Sequence, residues 1–91
     1  MTNREETWSE CLRITGKHIR QAREARNMTV EELFRKSNVS EDEYRRIEAG
    51  NDPNPDLRSI VAIAQTLRTP VDGLLPARWP SLGAEDQTPE A

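Results

Sequence analysis

Residues 29–50 read TVEELFRKSNVSEDEYRRIEAG, and the order of polar and apolar side chains in this stretch decides the fold. Thr29 to Glu32, "TVEE", and Ser40 to Glu43, "SEDE", both match the Ser/Thr-x-x-Glu capping box. In that box the hydroxyl and the carboxylate each satisfy a free backbone N–H at a helix start. Two short helices are therefore predicted. The first runs from Val30 to about Ser37 and buries Leu33, with Phe34 beside it; Asn38 then takes the left-handed conformation that ends a helix. The second runs from Glu41 to about Ala49, buries Tyr44 and Ile47, and stops at Gly50. Only Asn38, Val39 and Ser40 join them, so the two helices must cross steeply with Val39 packed under the corner.

Upstream, Thr7 to Glu10, "TWSE", matches the same box and predicts a helix beginning at Trp8. Trp8, Leu12, Thr15, Ile19, Ala22 and Arg26 follow at helical steps. Gly16 costs about 1 kcal/mol relative to Ala inside a helix, so the stripe can either run through it or break there. Downstream, "NDPNP" is dense in turn formers. Asn54 as N-cap with Pro55 at the first helical position opens a further helix, whose apolar face is Leu57, Ile60, Ile63, Ala64 and Leu67. Thr69 and Pro70 repeat that device ahead of "VDGLL", a short last turn ended by Pro76. Beyond Pro76 only Trp79 and Leu82 are large and apolar, which predicts a disordered tail. No run of alternating β-branched residues suggests a strand, so the expected class is all-α. The expected segments are a helical extension over 1–14, a folded domain over 15–75 and a flexible tail over 76–91.

A chain of 91 residues, 34% hydrophobic and 32% charged, supports one small domain with a modest core. It shows no apolar run long enough to span a membrane and no leader pattern, and the expected location is the cytoplasm. One cysteine, Cys11, cannot form an internal disulfide, and one histidine, His18, cannot assemble a metal site alone. Cys11 reads as a small packing residue and His18 as an exposed helix residue; no cofactor and no metal are implied. No paired histidine and nucleophile suggests an enzyme.

The net charge of -3 speaks weakly against nucleic acid, because affinity for DNA rests mainly on phosphate neutralisation by Lys and Arg. Its distribution changes that reading. Residues 1–14 carry two basic and three acidic groups, residues 76–91 one and three, and residues 15–75 ten of each. The acidic excess lies at the ends.

Taken in order, "GKHIRQAREARNMTVEEL", "NVSEDEYRRIEAGNDPNPDLRSIVAIAQTL" and "PVDGLL" give residues 15–75 a resemblance to the five-helix Cro/C1-type (XRE-family) helix-turn-helix domain of phage repressors and small bacterial transcriptional regulators. The resemblance implies several roles. Arg23 and Glu48 match positions where the family often buries an ion pair between the first and third helices. Thr29, Val30, Ser40, Glu41, Asp42, Arg45 and Arg46 match the positions that face DNA. At Val30 the family commonly has a Gln that bonds a phosphate, and Val has no donor. At Glu41 and Asp42, where amides, hydroxyls or basic residues are common, this chain places carboxylates. Arg45 and Arg46, a turn further on, match positions that reach DNA in the family, and Arg can fork onto O6 and N7 of guanine. Glu or Asp can accept from the N4 amino group of cytosine, although carboxylates are costly beside phosphates. Alternatively, the acidic first turn simply stabilises the helix end. Lys17, Arg20, Arg35, Lys36 and Arg58 are candidates for a phosphate-binding rim.

Two functions follow as expectations. One is a sequence-specific transcriptional regulator that binds double-stranded DNA as a homodimer on a two-fold operator, since one such helix covers too few base pairs. The other is a helix-turn-helix module that docks on a protein partner through its acidic helix and its Trp-bearing ends.

Overall fold

A computed structural model describes residues 4–80, with side chains from Trp8 onward. They form α1 (Arg4–Ala25), α2 (Val30–Ser37), α3 (Glu41–Ala49), α4 (Leu57–Thr66) and a single 3₁₀ turn, Val71–Gly73. No strand occurs among the described residues, and the fold is an all-α helix-turn-helix. The fifth element is thus one short turn instead of a full helix. Pro70 occupies its N-cap without a side-chain hydrogen bond, and the Thr69 hydroxyl turns back to donate to the Leu67 carbonyl at 3.2 Å. The predicted Thr-Pro start is absent because the hydroxyl is spent on the end of the preceding helix.

The central pair forms as its caps dictate. At α2 the capping box is complete: the Thr29 hydroxyl accepts the Glu32 N–H and the Glu32 carboxylate accepts the Thr29 N–H, both at 3.0 Å. Asn38 ends α2 at φ 62° and Gly50 ends α3 at φ 73°, each in the left-handed region. Val39 is buried under the corner. At α3 only half of the expected box forms. The Ser40 hydroxyl accepts the Glu43 N–H at 3.2 Å, but the Glu43 carboxylate turns away to accept the Ser59 hydroxyl of α4 at 2.7 Å.

Two further helix starts differ from the sequence reading. α1 begins at Arg4, a turn before the expected Trp8, because Arg4, Glu5 and Glu6 are good helix formers and nothing stops the helix short of them. α4 begins at Leu57 with Asp56 as N-cap, its carboxylate accepting the Arg58 N–H at 3.1 Å. Asn54 instead gives its N–H to Asp52 at 3.2 Å, so the Asn-Pro pair belongs to the loop. One consequence is that Leu57, expected on the buried face, is 69% exposed at the helix start.

α1 packs on α3, and α2 on α4. α1 runs unbroken through Gly16, which lies against the backbone at the end of α3: a Cβ there would sit 2.8 Å from the Glu48 carbonyl carbon and 2.9 Å from the Ile47 oxygen. Ile19, Leu33, Tyr44, Ile63, Leu67 and Leu74 are the largest fully buried side chains of the shared core. Cys11 is buried as a packing residue. His18 is half-buried, with Nδ1 3.3 Å from the Leu74 carbonyl, so it fastens the last turn to α1 instead of standing in solvent.

Residues 76–80 run beside α1: Pro76 is buried, and the Arg78 carbonyl accepts the Cys11 thiol at 3.9 Å. Residues 81–91, with Leu82 and most of the predicted tail, lie outside the described residues.

Candidate nucleic-acid interface

α3 has a locked inner edge and an open outer edge. Tyr44 and Ile47 point inward, while Glu41, Asp42, Arg45, Arg46 and Ala49 are exposed. The inner edge is held by Arg23 of α1, whose Nη2 and Nε both reach Glu48 Oε2, at 2.9 and 3.2 Å, and whose Nη1 donates to the Met28 carbonyl at 3.0 Å. Each side chain of this pair is 12% exposed. Burial opposes the Arg23 charge, but hydrogen bonding and charge from Glu48 outweigh it and hold the guanidinium above its ordinary pKa. The Tyr44 hydroxyl is buried beside the pair without a hydrogen-bond partner. Burial first, and then the Glu48 carboxylate, push its pKa well above its ordinary value of 10.0. The pair fixes α3 against α1, so the outer edge is presented by a rigid backbone.

On the outer edge every charge has a neighbour. Arg45 Nε bonds Glu41 Oε2 at 2.9 Å one turn back, and Arg46 bonds Asp42 in the same way. Arg46 Nε also lies 3.9 Å from Asp52 in the loop after α3. The two acidic and two basic residues named from the sequence therefore share one face, already paired along the helix. Such exposed pairs are worth roughly 0.3 to 0.5 kcal/mol each and exchange readily.

The other expected positions divide. Thr29 and Ser40 are N-caps whose hydroxyls are engaged in helix starts. Val30 is half-buried against the core, so it is a packing residue of α2. Lys17 and Arg20 border a shallow depression with Arg13 and Ala49, at the end of α3. Arg35 flanks the groove between α2 and α3 beside Ser40 and Glu41, paired with Glu31 at 2.8 Å. Lys36 lies in a separate cleft with Arg26 and Arg68. Arg58 is exposed at the start of α4. Lys17 with Arg20, Arg35 and Lys36 thus border three different depressions.

Sequence reasoning missed Asp52, which sits in a loop that capping patterns do not describe. The Trp-bearing ends named from the sequence meet at an apolar groove of about 220 Å³ lined by Trp8, Cys11, Leu12, Leu57, Leu75 and Trp79. Trp79 is 53% exposed at its edge, and the Trp8 indole N–H reaches across to the Pro53 carbonyl at 3.2 Å. Among the described residues no group of three or more His, Cys, Asp or Glu is placed to hold a metal, and no helix is long and apolar enough to cross a membrane.

The fold and this face define a class. A helix-turn-helix family model matches residues 19–74, and the chain belongs to that family, the Cro/C1-type group of DNA-binding transcriptional regulators. Among solved structures it is similar to the restriction-modification controller protein C.AhdI from Aeromonas hydrophila, at 25% identity and a TM-score of 0.65, over 69% of this chain and 94% of that one. None of the curated proteins matches the chain.

Proposed function

We propose that the protein is a sequence-specific transcriptional regulator whose α3 enters the major groove, acting as a dimer on a two-fold operator. The observation that carries this reading is the outer edge of α3: Arg45 and Arg46 stand exposed, on a helix whose inner edge is fixed by the Arg23–Glu48 pair. An Arg at this edge can fork onto guanine, and the carboxylates a turn earlier can accept from cytosine. Similarity to a controller protein of restriction-modification supports a regulatory role for the same fold.

A dimer has a natural surface away from α3. Exposed Leu57 and Trp79 border the apolar groove, so each copy carries both a protruding apolar group and a recess. A two-fold axis lets each copy fill the other's groove.

Fluorescence anisotropy with a labelled duplex at two salt concentrations tests DNA reading. Changing Glu41 and Asp42 together to Gln removes two negative charges near a polyanion, so affinity for nonspecific DNA rises. Arg46→Ala weakens binding, and where Arg46 forks onto guanine the loss is about 1 to 3 kcal/mol with relaxed preference at one base pair. Equal and negligible binding by parent and both variants at low salt rules out groove reading. A protein partner would then be the occupant of the acidic face.

A further inference from the structure

We propose that Asp52 is a positioning residue for Arg46: it holds the Nε side of the guanidinium and leaves the terminal edge to fork onto a base. The inference deepens the DNA-reading role assigned to Arg46 above and rests on it.

The loop that carries Asp52 is fastened on both sides. Gly50 donates to the Arg46 and Ile47 carbonyls, and a Cβ on it would lie 3.0 Å from the Arg13 Cα, so the loop starts flat against α1. The Asn51 N–H donates to the Arg46 carbonyl at 2.9 Å. On the far side, the Pro53 carbonyl is held by the Trp8 indole at 3.2 Å. Asp52 lies between these points, with Oδ1 accepting the Asn54 N–H at 3.2 Å and Oδ2 3.9 Å from Arg46 Nε.

Two carboxylates thus flank one guanidinium, and they differ in environment. The Asp42 side chain is 85% exposed and that of Asp52 14%. Water competes with the first and much less with the second. Asp42 engages a terminal nitrogen, Nη1, which a guanine fork needs; Asp52 faces Nε, which an end-on fork does not need. When a base arrives, Asp42 yields and Asp52 stays. At 3.9 Å the second contact is Coulombic and not a hydrogen bond, so it biases the side-chain orientation without freezing it. The Trp8 bond links the same loop to the apolar groove.

The test is selection from a random duplex library by the full chain, as parent, Arg46→Ala, Asp52→Asn and the double variant. Asn at position 52 keeps the oxygen that accepts the Asn54 N–H, and its melting temperature should match the parent. The expected result is that Arg46→Ala and Asp52→Asn lose preference at the same base pair. For Asp52→Asn the loss is about three- to tenfold, in the lower part of the range of coupling between neighbouring groups, as befits a contact longer than a hydrogen bond. Asp52→Asn has no further effect once Arg46 is Ala. Full preference in Asp52→Asn at the pair that Arg46→Ala loses, or an effect that persists without Arg46, overturns the proposal. A parent that selects no sequence at all defeats the DNA-reading role instead. In that case ¹⁵N NMR of the Arg46 Nε–H in the free protein decides the Asp52 contact alone. Motion of that N–H bond, from ¹⁵N relaxation, that is more restricted in the parent than in Asp52→Asn supports it; equal motion overturns it.

Discussion

Gly16→Ala sets two effects of opposite sign against each other. Ala is the better helix former by about 1 kcal/mol, and Gly16 lies well inside α1, so local propensity alone says the variant is more stable. The added methyl group, however, meets backbone. It would stand 2.8 Å from the Glu48 carbonyl carbon and 2.9 Å from the Ile47 oxygen, and closer still to the Glu48 oxygen. Ordinary contact lies near 3.5 Å, so α1 and the end of α3 must separate by roughly an ångström. Forcing extra volume into packed structure costs about 1 to 3 kcal/mol, and more where no flexible side chain can give way. Moving Glu48 also strains its bond to Arg23, in which each partner is only 12% exposed. The net expectation is a loss of about 2 kcal/mol or more, which lowers the melting temperature by roughly 8 to 16 °C in a domain of this size. Urea unfolding followed by helical circular dichroism measures it, with Arg20→Ala on the exposed face of α1 as a control expected within about 0.5 kcal/mol of the parent. A Gly16→Ala variant more stable than the parent would show that α1 and α3 do not approach at this point.

Glu48→Ala leaves Arg23 buried with only the Met28 carbonyl for a partner, and should cost about 3 to 5 kcal/mol by the same unfolding measurement; a loss within about 0.5 kcal/mol would reject the burial. Tyr44→Phe should change the pH dependence of stability at its alkaline end. The folded pKa of Tyr44 is raised, so its contribution is fully present below the unfolded value of about 10 and is lost as pH rises above it, at up to 1.36 kcal/mol per pH unit. The Phe variant should lack that component of the slope, with Cys11 titrating alike in both proteins; identical slopes would refute the environment described for the hydroxyl. Leu57→Asp places a charge beside the apolar groove, and sedimentation at micromolar concentration should show a dimer for the parent and a monomer for the variant. A parent that is monomeric there, unchanged by mutating Trp8 or Trp79, removes the groove as a self-association surface.

Legibility in the sequence followed the range over which each signal acts. The α2–α3 unit could be read because its information is local: Thr29, Asn38, Ser40 and Gly50 each set a helix end through bonds spanning a few residues. Where several polar residues compete for one end, local rules named the wrong partner. Asn54, Asp56 and Pro55 all suit a helix start, and the choice of Asp56 left Leu57 on the surface. Glu43 had a local partner in Ser40 and a distant one in Ser59, and its carboxylate took the distant one. Gly16 was undecidable because what it permits, close approach of α3, involves residues more than thirty positions away. Asp52 and the groove between Trp8, Leu57 and Trp79 likewise exist only once the chain is folded.

The acidic turn of α3 reads differently once magnitudes are attached. Were the Arg45–Glu41 and Arg46–Asp42 pairs a lock, DNA binding would have to break it; yet exposed i,i+4 pairs are worth only about 0.3 to 0.5 kcal/mol apiece, against 1 to 3 kcal/mol for one well-placed fork onto guanine. The pairs cannot switch the helix off. What they remove is the unbalanced positive field that draws a reading helix to phosphates regardless of sequence. On the proposed function, a neutral reading edge gives up nonspecific attraction and leaves the contribution of matched bases nearly intact, so discrimination gains relative to affinity. The Gln substitutions at Glu41 and Asp42 should reverse that balance: tighter binding to every duplex, with a shallower preference among them and a steeper fall with salt.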